Sequence, residues 1–255
     1  CHAWSPAALM MPEPQHSVTL NGQTFEIADI KALTQNIFDR TSAVMLGGRC
    51  NSEEINHDVN GSANDECADV NPGSLHVIVT NFHGLRQAPL VEDRTANYEV
   101  WNQPMLGYEI TKQAEISKTA ANTCVGGTGG STWTYNTDAK KLYEVRMTVT
   151  YLSESGAEAR PVGWMNNTST DDYHYILELN SAGKVVGGRY CTDSSNSHVD
   201  FLWSPTGTNS PSNPNVDATK VKQLIKLSVE ADGGGGGGGM TSDFPVSPNA
   251  NIPDA

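Results

Sequence analysis

The stretch Asn71–Gly107, NPGSLHVIVTNFHGLRQAPLVEDRTANYEVWNQPMLG, decides how this chain is read. Ser74–Asn81 and Ala88–Thr95 carry residues that strands favour, and the six residues between them include Gly84. This predicts a β-hairpin. With Gly84 and Leu85 at the centre of a type II′ turn, residues facing each other across the hairpin share one sum of residue numbers. His76 and Asp93 satisfy that sum. Their Cβ atoms are then expected about 5 Å apart. A carboxylate beside an imidazole fixes its tautomer and stabilises the imidazolium, which is what a nucleophile's base needs.

The candidate nucleophile is Cys1. CHAWSPAALMMPEP predicts a short helix stopped by Pro12, with Pro6 tolerated in the first turn. Free backbone N–H groups at a helix start stabilise a thiolate and can hold an oxyanion. The chain has five cysteines: Cys1, Cys50, Cys67, Cys124 and Cys191. The last four can pair as Cys50–Cys67 and Cys124–Cys191, or in two other ways, and two disulfides imply an oxidising compartment. Elimination leaves the free thiol to Cys1.

Composition narrows the function classes. The 255 residues carry a net charge of −13, which argues against nucleic acid and anionic membrane surfaces as partners. No apolar run approaches the ~18 residues of a membrane-spanning helix. The chain opens on Cys1 rather than Met and is expected to be truncated at its N-terminus. From Thr206 the composition shifts to Thr, Asn, Ser and Pro, and Gly233–Gly239 is unbroken glycine. Residues 1–205 are therefore expected to form the catalytic domain, and residues 206–255 a largely disordered tail with a short amphipathic segment at Ala218–Val229.

Between these landmarks the reading is antiparallel. Ser17–Ile27 predicts a hairpin around Asn21-Gly22, and Ile30–Arg40 an amphipathic helix capped by Asp29. Tyr108–Ala121 predicts a strand running into a short helix. Leu142–Leu152 alternates cleanly, and Tyr173–Leu179 with Lys184–Tyr190 forms a further hairpin. His198–Pro205 adds an apolar strand, where His198 and Asp200 make a rival His/Asp pair. Asp58, Asn60, Ser62, Asn64 and Asp69 match calcium-loop positions, but the glycine is misplaced and the last ligand is Asp, so a solvated loop is expected. TCVGGTGGSTW lacks the lysine and spacing of a phosphate loop. No cofactor or metal is expected.

CHAWSPAA, NGQTFEIADIKAL, NPGSLH, DRTANYEVWNQPMLGYE and HVDFLW together resemble the oomycete transglutaminase elicitor family, also represented in marine bacteria. The likeness runs from Cys1 to about Pro205. Val100-Trp101-Asn102-Gln103-Pro104 with Gly107 is similar to the core of the peptide by which plants recognise the oomycete enzymes. Met105, Leu106 and Glu109 depart from it, standing where Val, Arg and Lys are expected. The resemblance implies an α+β fold with a papain/transglutaminase-like cysteine core, its N-terminal nucleophile helix packed on an antiparallel sheet. It implies a secreted protein-glutamine γ-glutamyltransferase that joins glutamine donors to lysine or amine acceptors, and host recognition of the Val100–Pro104 region. Cys1 matches the family cysteine, and His76 and Asp93 fit the superfamily order of a Cys-His-Asp triad. Trp4 and Trp101 are candidate walls that exclude water from the substrate. The alternatives are a papain-like protease or amidase, an N-terminal nucleophile using its own α-amine, and an inactive fragment displaying VWNQP.

Overall fold

The structure is a computed structural model that describes residues 1–51, 70–154, 160–163 and 166–230. Its centre is a seven-stranded antiparallel sheet. In chain order the elements are α1 (Trp4–Met10), β1 (Val18–Leu20), β2 (Gln23–Phe25), α2 (Ile27–Asn36), β3 (Ala43–Leu46) and α3 (Pro72–Ile78). A π-helical segment, Val79–Leu85, continues α3. Then follow β4 (Val91–Asp93), β5 (Asn102–Glu115), α4 (Lys118–Cys124), β6 (Lys141–Leu152), β7 (Thr168–Leu179), β8 (Val185–Tyr190), β9 (Leu202–Pro205) and α5 (Ala218–Glu230). The sheet order is β3-β9-β4-β5-β6-β7-β8, with β1-β2 a separate ribbon.

Local chemistry accounts for most elements. Asn21 and Gly22 turn the β1-β2 ribbon with φ of 53° and 80°, as a type I′ turn requires. Helix α2 starts earlier than periodicity alone suggests, because Glu26 and Asp29 form a reciprocal capping box. Strands β6 and β7 pair over their full length, from Lys141↔Leu179 to Leu152↔Thr168.

The central hairpin is the main correction. Pro72–Ile78 is a helix, so His76 does not lie on a strand facing Asp93. Asn71 caps it by accepting the Gly73 N–H, and Pro72 occupies the first turn, where its missing donor costs nothing. Leu75 and Val79, spaced one helical turn apart, are both buried. The β-branched content of HVIVT is overridden by this cap and by packing against β7 and β8.

The two faces of the sheet carry different layers. Leu75, Val79, Leu90, Met105 and Leu202 share one core with the tyrosines of β7. Leu9, Val91, Leu106, Phe201 and Trp203 form another. Since neighbouring strand residues point to opposite faces, α3 covers one side of the sheet and α1 the other.

The expected boundary at residue 205 falls inside the packed body. Val221, Leu224 and Ile225 of α5 close onto Ile30, Ile37 and Phe38 around α2. Thr206 and Asn209 hydrogen-bond Ser42 and Arg40. The glycine run at Gly233–Gly239 and the Asp58–Asp69 loop lie outside the described residues.

Candidate active site

Cys1 lies one turn ahead of α1, and its carbonyl accepts the Ser5 N–H at 3.2 Å. The buried Ser5 hydroxyl is 3.0 Å from both Cys1 O and Asn102 O, which ties the start of α1 to β5. The Cys1 thiol is free and exposed. It donates to Val100 O at 3.4 Å, and Asn102 Nδ2 lies 3.8 Å from the sulfur. The VWN residues of the VWNQP segment therefore sit directly beside the thiol.

Asn102 was not foreseen from sequence, and its orientation follows from donor chemistry. The indole N–H of Trp203 can only donate, and it meets Asn102 Oδ1 at 2.7 Å. The amide N–H₂ must then face the sulfur. Asn102 also pairs with Asp93 across β5 and β4, which puts the two side chains on one face.

Asp93 is buried there. Its Oδ1 accepts the Trp101 N–H at 2.8 Å and the Thr95 hydroxyl at 3.3 Å. Its Oδ2 has no hydrogen-bond partner among the described residues. Burial pushes the carboxyl up from 3.8 to about 6.

His76 is elsewhere. It lies on α3 and is fully buried, with Nδ1 2.8 Å from the Tyr175 hydroxyl, and burial holds it at about 4. Its neighbours in sequence pack on the sheet face opposite α1. Among the described residues the sulfur's polar neighbours are Val100 and Asn102, not an imidazole. The rival pair is buried near β9. Asp200 accepts the Cys50 N–H at 2.9 and 3.0 Å, and His198 packs its ring on Tyr190.

The two tryptophans make their polar contacts with acidic side chains. Trp4, half-buried, donates to Glu154 at 2.7 Å, and Trp101, 44% exposed, donates to Glu99 at 3.0 Å. Cys124 and Cys191 form a disulfide. Cys50 is also disulfide-bonded, while Cys67 lies outside the described residues. The described residues that assemble like metal ligands are Cys124, His174 and Cys191, on other elements.

Three comparisons bear on identity. A comparison with curated protein sequences gives no match. The crystal structure of the GP42 transglutaminase from Phytophthora sojae is similar, with a TM-score of 0.76 and 30% identity. That likeness covers 90% of this chain and 62% of that one. The family model described as transglutaminase elicitor matches residues 1–231, and the chain belongs to that family.

Proposed function

We propose that this chain is the catalytic part of an extracellular protein-glutamine γ-glutamyltransferase with Cys1 as its nucleophile. The observation that carries the reading is an exposed free thiol held between Val100 O and the Asn102 amide, in a fold similar to a transglutaminase. The thiolate attacks the side-chain carboxamide of a protein-bound glutamine, and the oxygen of the tetrahedral intermediate takes a hydrogen bond from Asn102 Nδ2. Ammonia leaves with a proton, giving a γ-glutamyl thioester. A lysine amine then attacks the thioester, forming the isopeptide bond and releasing the thiol.

Asp93 is the acid–base group of this reading. It lies on the same sheet face as Asn102, and a carboxyl near 6 is poised to take and return a proton close to neutral pH. In place of a Cys-His-Asp triad, His76 supports the sheet through Tyr175. Trp4 and Trp101 shield the thioester from water. The disulfides suit a secreted protein, and no helix among the described residues is long and apolar enough to cross a membrane. Host recognition of Val100–Pro104 on the folded protein would read mainly Trp101, because Asn102, Gln103 and Pro104 are buried.

The test is amine incorporation into a glutamine peptide with ammonia release. The chain is expected to incorporate a fluorescent primary amine, and Cys1→Ala to abolish it. Deamidation or peptide cleavage without incorporation would assign a hydrolase instead. Incorporation that survives Cys1→Ala would remove the nucleophile.

A further inference from the structure

A second cluster of reactive side chains is built around the Cys124–Cys191 disulfide. Cys124 ends α4, Cys191 follows β8, His174 lies on β7 and Glu144 on β6. His174 Nε2 is 3.4 Å from Cys124 Sγ and 3.1 Å from Glu144 Oε1. The two sulfurs and the His174 nitrogen all lie within 4.8 Å of one another. Asp193 meets the other ring nitrogen, Nδ1, at 2.7 and 2.9 Å.

We propose that reduction of the Cys124–Cys191 disulfide turns this cluster into a zinc site, ligated by Cys124, Cys191, His174 Nε2 and the Glu144 carboxylate.

Four features support it. Asp193 accepts only if Nδ1 carries the proton, so Nε2 turns toward Glu144 and the sulfurs, as in carboxylate–histidine–zinc arrangements. Nε2 and a carboxylate oxygen at 3.1 Å are two acceptors that need a cation between them, a proton or a metal ion. The donor set is two thiolates, one imidazole and one carboxylate, which suits tetrahedral zinc and not calcium or magnesium. Lys112 Nζ, 2.8 Å from Glu144 Oε1, offsets the single negative charge left when Zn²⁺ meets two thiolates and a carboxylate.

The scaffold does not depend on the S–S bond. Cys191 N–H donates to His174 O at 2.9 Å, and Thr192 N–H donates to Cys124 O at 2.9 Å. Ser194 Oγ accepts the His174 N–H at 2.9 Å. These bonds keep both cysteines beside the imidazole once the sulfurs part. A dithiol reduces the disulfide by exchange: its sulfurs form the new S–S bond, and its two protons end on Cys124 and Cys191. Zinc then displaces those protons as it binds. The junction of α4 with the end of β8 is thereby clipped in either redox environment.

The test uses the whole chain, reduced with a water-soluble phosphine, which becomes the phosphine oxide while water supplies its oxygen and the two thiol protons. The freed protein is then titrated with Co²⁺ and Zn²⁺. The expected result is one equivalent of cobalt bound after reduction and none before it. A thiolate-to-cobalt charge-transfer absorption should appear and be displaced by zinc. Cys124→Ser/Cys191→Ser should lose this site while the remaining cysteines stay, with circular dichroism reporting the fold. His174→Gln, which leaves the disulfide able to form, should weaken zinc binding at least about 10-fold. Equal binding by the oxidised protein, by the serine pair or by His174→Gln would overturn the proposal, as would no binding by the reduced wild type.

Discussion

Trp203 decides which way Asn102 faces, and Asn102 decides what the Cys1 sulfur meets. Without the indole N–H, either end of the amide can turn toward the thiol, and only the N–H₂ end can donate to an oxyanion. Asn102→Ala is therefore expected to lower the rate of amine incorporation about 10²–10³-fold, the usual loss for one oxyanion donor. Trp203→Phe keeps most of the buried bulk but leaves Asn102 Oδ1 without its donor. Its expected signature is a fall in kcat with KM nearly unchanged, because the indole positions a group rather than touching substrate. Steady-state kinetics on both variants check this, and an unchanged kcat in Trp203→Phe would separate Asn102 from the oxyanion. Asp93→Asn should remove the limb of the pH–rate profile near pH 6, where burial places that carboxyl. Neither Asn102 nor Trp203 was marked by sequence, because an amide carries no signature until its partners are placed. The visible hint was only that VWNQP and CHAWS both stand out against plain strand and helix chemistry.

At the scale of elements, what the sequence made legible tracks how local the deciding interactions are. Strand β6 was readable from its own alternation, and β7 with β8 from the short Asn180–Gly183 turn between them. Helix α3 was misread because HVIVT has strand propensity, while Asn71-Pro72-Gly73, a helix-start signal, stood just before it. The facing of His76 and Asp93 depended on that misreading. The same misreading hid why Gly73 is glycine. A Cβ there would lie 2.4 Å from Gly187 O and 2.5 Å from Gly187 C, because α3 presses onto β8 backbone to backbone. Asn71 Nδ2 adds a hydrogen bond to Gly188 O at 2.9 Å across the same contact. Gly73→Ala must push α3 away from β8, and it is expected to cost about 1–3 kcal/mol, the range for overpacked cores. Chemical denaturation should show a lower midpoint. An unchanged midpoint would show that the contact of α3 with β8 has room for a Cβ. The domain boundary at residue 205 was misplaced for a related reason: the amphipathic segment read at Ala218–Val229 is a thirteen-residue helix whose buried side chains find their partners far back in the chain, in one cluster with Ala7, Val18, Ile30, Ile37 and Phe38.

For the whole molecule, buried ionisable groups set how stability varies with pH, and they pull in opposite directions. Burial depresses His76 and His83, so each is neutral in the folded protein at pH values where it would be charged unfolded. Their contribution is present above the ordinary histidine value of 6.5 and is lost as pH falls below it. Glu92 is raised from 4.5 to about 8 by burial, reinforced by the charge of Asp171, which is itself paired with Arg94 at 2.7 Å. The folded state holds this proton more tightly than the unfolded chain, so its contribution is full below 4.5 and fades as pH climbs through 8. Asp93 behaves likewise, but its window closes near 6. Over most of the range from pH 6.5 to 8 the histidines are largely neutral in both states and Asp93 is largely ionised in both. That leaves Glu92 as the group among these whose protonation differs. Across those ~1.5 units Glu92 is expected to take about 1.5 kcal/mol from the stability of the wild type, or roughly 3–6 °C in Tm. Glu92→Gln keeps the shape and the contact with the Tyr173 hydroxyl, and it has no proton to lose. Its Tm should vary much less over this window and should exceed that of the wild type at pH 8. Thermal melts of both proteins at matched ionic strength decide it, and parallel curves would show that Glu92 is ionised in the folded protein throughout.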